Sequence, residues 1–176
     1  MSFVKESVFD VKCRLKLHQL AGCCGWLAQV LRHQDGLLGQ LDALSHSPGG
    51  SGRPRWAGFE SALVRHLRVE ELVLAPAIRA MGQRAHAVVA DRGREQIRRG
   101  LETVCRPARE DDGVRLDELR FNIASHFAQE ESWSHLALAR YQDAQASAAL
   151  AAQCLALLDV VEAAPAYASR ERKEQA

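Results

Sequence analysis

The chain has 176 residues, 47% of them hydrophobic and 26% charged, with a formal net charge of +1: the balance of one globular domain with a sizeable core, and not of a disordered chain. Its arginines are spread along the sequence and interleaved with Asp and Glu, which argues against a nucleic-acid-binding stripe, and no apolar run has the length of a membrane span or secretory leader, so the chain reads as cytoplasmic. Five cysteines, an odd number with Cys23 and Cys24 adjacent, match neither a disulfide framework nor a CxxC zinc site, and read as small packing residues.

In chain order, Trp26, Val30, Leu37, Leu41 and Leu44 step by three and four with His33 on the same stripe, which predicts one long helix over about residues 12–46. The run "SHSPGGSGRPR" is the strongest loop signal in the chain. A second helix follows over about 56–80, ending before Gly82, with Pro76 expected to kink or loosen its last turns. Ala90, Ile97, Leu101 and Val104 mark a third over about 84–107, which stops near Pro107 and "REDDG". A fourth spans about 114–142, and a fifth, about 145–163, is amphipathic enough to pack on the others. No segment alternates at period two. Short connections between long helices favour antiparallel neighbours, so the expected fold is all-α, an up-down-up-down antiparallel four-helix bundle with an additional C-terminal helix. One domain over 1–165 and a charged tail over 166–176 complete the organisation.

Two segments of this bundle repeat. "HLRVEELVLAPAI" begins at His66 and "HFAQEESWSHLAL" at His126, each a histidine followed at the fourth position by two glutamates. With 22 acidic residues in 176, seven histidines would give roughly 0.1 such triplets by composition, and Phe59 and Leu63 precede His66 at the same distances as Leu119 and Ile123 precede His126. Residues four apart stack on one helix face, so His66 with Glu70, and His126 with Glu130, each present a nitrogen beside a carboxylate. A lone pair of this kind is usually an exposed ion pair. Here the apolar stripes run into both histidines and turn the pairs inward, where charge must be paired or coordinated to metal. Glu71 and Glu131 turn about 100° away, toward an edge or solvent. By helix rise, His33, His66 and His126 lie within about a turn of one level, which meets the third helix near residues 94 and 95.

This layout resembles the haemerythrin-like HHE cation-binding family, over roughly residues 26–140, with "RHLRVEELVLAPAI" as the best match. The resemblance implies a non-haem di-iron centre in a four-helix bundle, with terminal histidines and bridging HxxxE glutamates. By motif it implies His33, His66, Glu70, His126 and Glu130 as metal ligands; Gln34 also approaches the stripe of the first helix. The third helix departs from the family pattern: Arg94 stands where a histidine is expected, and a guanidinium cannot ligate a metal. His86 is on a similar face about 12 Å toward the helix start, His18 is about 22 Å from His33, and Glu95 is at the right depth but rotated by about 100°. His135 and His46 read as plain polar residues near an outer turn and a loop.

Three functions follow. The first is an iron protein that binds or senses dioxygen, nitric oxide or peroxide at an incomplete His/Glu site; manganese and zinc are lesser candidates. The second is a metal-free regulatory or interaction bundle in which Arg94 replaces the cation by pairing with Glu70 and Glu130. The third is a mononuclear enzyme site of His33, His66 and Glu70, for which the sequence offers no substrate pocket. Neither nucleic acid nor membrane is an expected partner, and a protein partner is left open.

Overall fold

The computed structural model describes residues 16–45 apart from 18 and 23, then 52–104 and 112–158; His18, Cys23, His46, residues 105–111 and the 166–176 tail lie outside them. Every regular element among the described residues is helical, and the helices pack into an all-α bundle. Helix α1 spans Gly25–Ser45. A first rod is built of α2 (Gly52–Val69), a π-helical turn (Glu70–Leu74) and α3 (Ala75–Ala80). Helix α4 spans Arg84–Val104. A second rod repeats the construction with α5 (Asp112–Gln129), a π-helical turn (Glu130–His135) and α6 (Leu136–Tyr141), and α7 (Ala144–Leu158) follows.

The expected first helix is not one unbroken run. Residues 16–21 are helical where described, Gly22 is in a turn, and α1 begins at Gly25. Two glycines in four residues weaken a helix by about 1 kcal/mol each relative to alanine, although Cys24 N–H still reaches Leu20 O at 2.9 Å. The first rod and α4 are joined at Gly82, whose φ of 78° closes a Schellman-type end with Gln83 N–H on Ile78 O and Gly82 N–H on Arg79 O. At the start of α7, Asp143 accepts from Ala146 N–H at 2.7 Å, the N-cap arrangement.

Neighbouring elements run in opposite directions wherever paired contacts fix the sense. Gly93 approaches His126 while Gly100 approaches Leu119. Arg94 reaches Glu70 while Arg79 reaches Asp91, and Trp26 meets His135 while Asp42 meets Arg120. Helix α7 packs against α1 and α2. No helix of the described residues is long and apolar enough to cross a membrane.

Two apolar clusters fill the bundle. One gathers Trp26, Leu27, Val30, Leu31, Val69, Val73, Leu74, Ile78, Ala87 and Leu138 with Leu150 and Cys154 of α7; the other gathers Leu37, Leu41, Phe59, Leu63, Leu67, Ile97, Leu101, Leu119, Ile123 and Phe127. Burying side chains of this size contributes about 1.5–3 kcal/mol each. Between the clusters, each long element places a buried polar side chain: Gln34 between Leu31 and Leu37, Glu70 between Leu67 and Val73, Arg94 between Ala87 and Ile97, Glu130 between Phe127 and Leu138. A polar slab thus crosses the core.

Candidate metal centre

His66, Glu70, His126 and Glu130 are all at most 3% exposed, so both HxxxE pairs point into the slab. One carboxylate and one imidazole from each rod meet there. Glu70 lies between the two histidines: His126 Nε2–H donates to Glu70 Oε2 at 2.8 Å, while His66 Nε2 stands 2.9 Å from Glu70 Oε1 without the alignment of a hydrogen bond. Glu130 Oε1 is 3.7 Å from His126 Nε2. One donor atom each from His66, Glu70 and Glu130 lies within 4.8 Å of the other two, the geometry of a group able to hold one cation. His66 Nε2, Glu70 Oε1 and Glu130 Oε2 are buried with no hydrogen-bond partner among the described residues. Buried lone pairs left facing one another are costly unless a proton or cation joins them, so the donor set fits a metal ion.

His33 sits behind His66. Its Nδ1 is 3.2 Å from His66 Nδ1, the rings lie 8° from parallel with centroids 5.2 Å apart, and burial, followed by His66 and Arg65, lowers its pKa to about 4. It touches the cluster through His66.

Arg94 occupies the level expected of the third helix and is 2% exposed. Its Nη2 donates to Asp91, while Nη1 stands 3.6 Å from Glu70 Oε2 and 3.9 Å from Glu130 Oε1, facing both without a close hydrogen bond. Burial alone would raise the Glu70 pKa, but His126 and His66 on its two oxygens hold it well below the usual carboxylate range. Burial, then the adjacent Glu70 carboxylate, pushes Glu130 well above it, against the pull of Arg94. The two carboxylates are thus pushed in opposite directions, Glu70 toward the charged form and Glu130 toward the protonated one.

Two expectations are corrected. Glu71 is half exposed and pairs with Arg98 as an edge residue would, but Glu131 is buried; and His135, read as a plain polar residue, is fully buried with Nε2 3.7 Å from Glu130 Oε2. The error at His135 comes from the π-turn; Glu71 holds the same place in the first π-turn as Glu131 in the second and stays exposed, so the turn does not account for the burial of Glu131. In an α-helix residues five apart point about 140° away from each other, whereas a π-turn bonds i to i+5 and brings them onto one face. Nothing in the 3.6-residue period signals this. The exposed Glu95 pairs with Arg99 on its own helix at 2.9 Å and stays out of the site.

The sixty-residue offset between the motifs extends through the bundle. Shifted by it, the buried residues Leu27, Val30, Gln34, Leu37 and Leu41 of α1 fall on Ala87, Ala90, Arg94, Ile97 and Leu101 of α4, also buried. The π-turns coincide as well, at Glu70 and Glu130. The meeting of His33 with His66 becomes that of Gly93 with His126, whose unpartnered Nδ1 lies where a Cβ on Gly93 would intrude. A glycine in mid-helix beside Arg94 was the available sequence signal for that close approach.

A cavity of about 240 Å³ reaches the cluster between α4 and the second rod, lined by His86, Val89, Ala90, His126, Glu130 and Trp133 among others. The His86 and Trp133 rings, 5.6 Å apart, line it together, and the Trp133 side is exposed. This is a largely apolar route from the surface to His126 and Glu130.

No family model matches the chain, and no curated protein or solved structure matches it.

Proposed function

We propose that the chain is a haemerythrin-like non-haem iron protein that binds or senses a small ligand such as dioxygen, nitric oxide or peroxide. The observation that supports this most is the convergence of His66, Glu70 and Glu130 donor atoms within 4.8 Å in a buried slab, with their lone pairs unpartnered among the described residues. Imidazole with carboxylate suits iron, and iron held by few protein donors supplies a redox-active Lewis acid with positions open to a small molecule. His66 Nδ1 stands 3.2 Å from His33 Nδ1, and with the proton between them carried by His66 the His66 Nε2 lone pair is left to face the ion. Glu70 and Glu130 would supply the compensating negative charge, Glu130 giving up its proton to do so. The cavity beside His126 and Glu130 is the ligand's path, and its apolar wall keeps water sparse.

Arg94 supports a second reading, a metal-free regulatory or interaction bundle, because its buried guanidinium faces both carboxylates at 3.6 and 3.9 Å, where a cation would sit. Elemental analysis of protein purified without chelators or affinity metals separates the two. On the iron reading the wild type holds about one ion per chain, since a fixed positive charge opposes a second by about 4 kcal/mol at an effective dielectric of 20 and 4 Å. Arg94→His then raises the iron content toward two and adds near-ultraviolet ferric absorption in air. On the metal-free reading the wild type holds none, and Arg94→His strands two buried carboxylates and costs about 3–5 kcal/mol with or without ferrous iron. A metal-free wild type with an iron-indifferent variant would exclude the iron protein.

A further inference from the structure

His135 is a buried polar group beside the slab that this ligand set leaves without a role. It is 0% exposed, and neither ring nitrogen has a hydrogen-bond partner among the described residues. Such a ring is expensive to bury, since each unsatisfied polar group costs about 1–3 kcal/mol. Packing against Trp26, with centroids 5.9 Å apart and rings at 75°, accounts for the ring's faces but for neither nitrogen, because the Trp26 indole N–H is itself unpartnered. Nor does the fold demand an imidazole there: the residue at the same place in the first rod is Ala75, equally buried. The nitrogen is aimed at the centre. His135 Nε2 lies 3.7 Å from Glu130 Oε2, an oxygen also without a hydrogen bond. Two donors each about 2.1 Å from one ion stand about 3–4 Å apart, so this separation is that of two ligands sharing a metal.

From this juxtaposition we propose that His135 is a metal ligand, a nitrogen donor on the Glu130 side of the centre, brought onto the ligand face by the π-turn of the second rod. The inference rests on the metal reading above. It supplies the nitrogen that Arg94 cannot, from a different helix.

Cobalt(II) serves as the optical probe. Metal-free wild type, His135→Ala and His66→Ala are titrated with Co2+ while the visible absorption is followed. The expected result is an affinity lowered about tenfold or more in His135→Ala with a changed visible spectrum, both restored toward wild type by added imidazole, which a purely packing role would not produce. His135→Gln, closer to the native volume, should show the same spectral change and covers the case in which the alanine variant fails to fold. Wild-type affinity and spectrum in the His135 variants, with binding lost in His66→Ala, would overturn the assignment of His135 and leave the metal reading standing. No Co2+ uptake by folded wild type would overturn both.

Discussion

Gly93 is where a single atom has the clearest consequence. Replacing a glycine inside a helix by alanine ordinarily stabilises it by about 1 kcal/mol. Here the new Cβ would fall inside the 3.0 Å limit of real contacts with His126 Nδ1, so the ring must leave its place and its bond to Glu70. Gly93→Ala is expected to destabilise by about 1–3 kcal/mol, the usual cost of overpacking; a raised melting temperature would show that the ring yields freely. His33→Ala has a different signature: it removes the partner of His66 Nδ1 but no donor of the converging group, so metal affinity should fall about 10–100-fold with stoichiometry unchanged in equilibrium dialysis. The burial of His66, Glu70, His126 and Glu130 was legible in the sequence because α-helical period joins each pair to an apolar stripe. That of His135 was not, because its position depends on one residue of π geometry.

At the level of elements, the two π-turns begin at the second residue of each HxxxE pair. Well under 1% of residues in proteins adopt this conformation, and it concentrates at functional sites. Pro76 invites a local explanation for the first, since proline cannot donate to the helix and clashes with the preceding turn. The second rod, "EESWSHLALARY", has no proline and forms the same turn, so Pro76 is not the common cause. Pro76→Ala should accordingly leave metal content unchanged; loss of metal in that variant would tie the turn to the proline. The helical segments themselves were legible from hydrophobic period and loop composition. The break marked by Gly22 and Cys24 was not, because the apolar spacing continues across it while only backbone entropy opposes it.

For the whole molecule, the buried imidazoles and carboxylates make stability depend on pH. Burial lowers the His135 pKa to about 3, and that of His33 to about 4, from 6.5, so between these values the unfolded chain binds more protons than the native one. Their contribution is complete above about pH 6.5 and is lost as pH falls through that window, with Glu70 adding to the loss below about 4.5. Glu130 acts oppositely, since its raised pKa favours the protonated native state and stability declines as pH rises above about 4.5. Melting of the metal-free protein should therefore worsen on acidification below about 6.5, more shallowly in His135→Leu, while bound metal should remove the alkaline decline by replacing the Glu130 proton. An acid limb unchanged in His135→Leu would show that His135 is not held neutral by the fold. The bundle also repeats itself at a sixty-residue offset, its halves meeting at the Gly82 turn, and each half brings one histidine–glutamate pair to the shared slab. Neither half encloses the cluster alone. Severed at that turn, the chain would become two fragments whose pairs face water until they reassociate, with α7, continuous with the second half but packed on α1 and α2, as the clasp between them. The centre would then report the reunion of the fragments, metal uptake rising with their complementation.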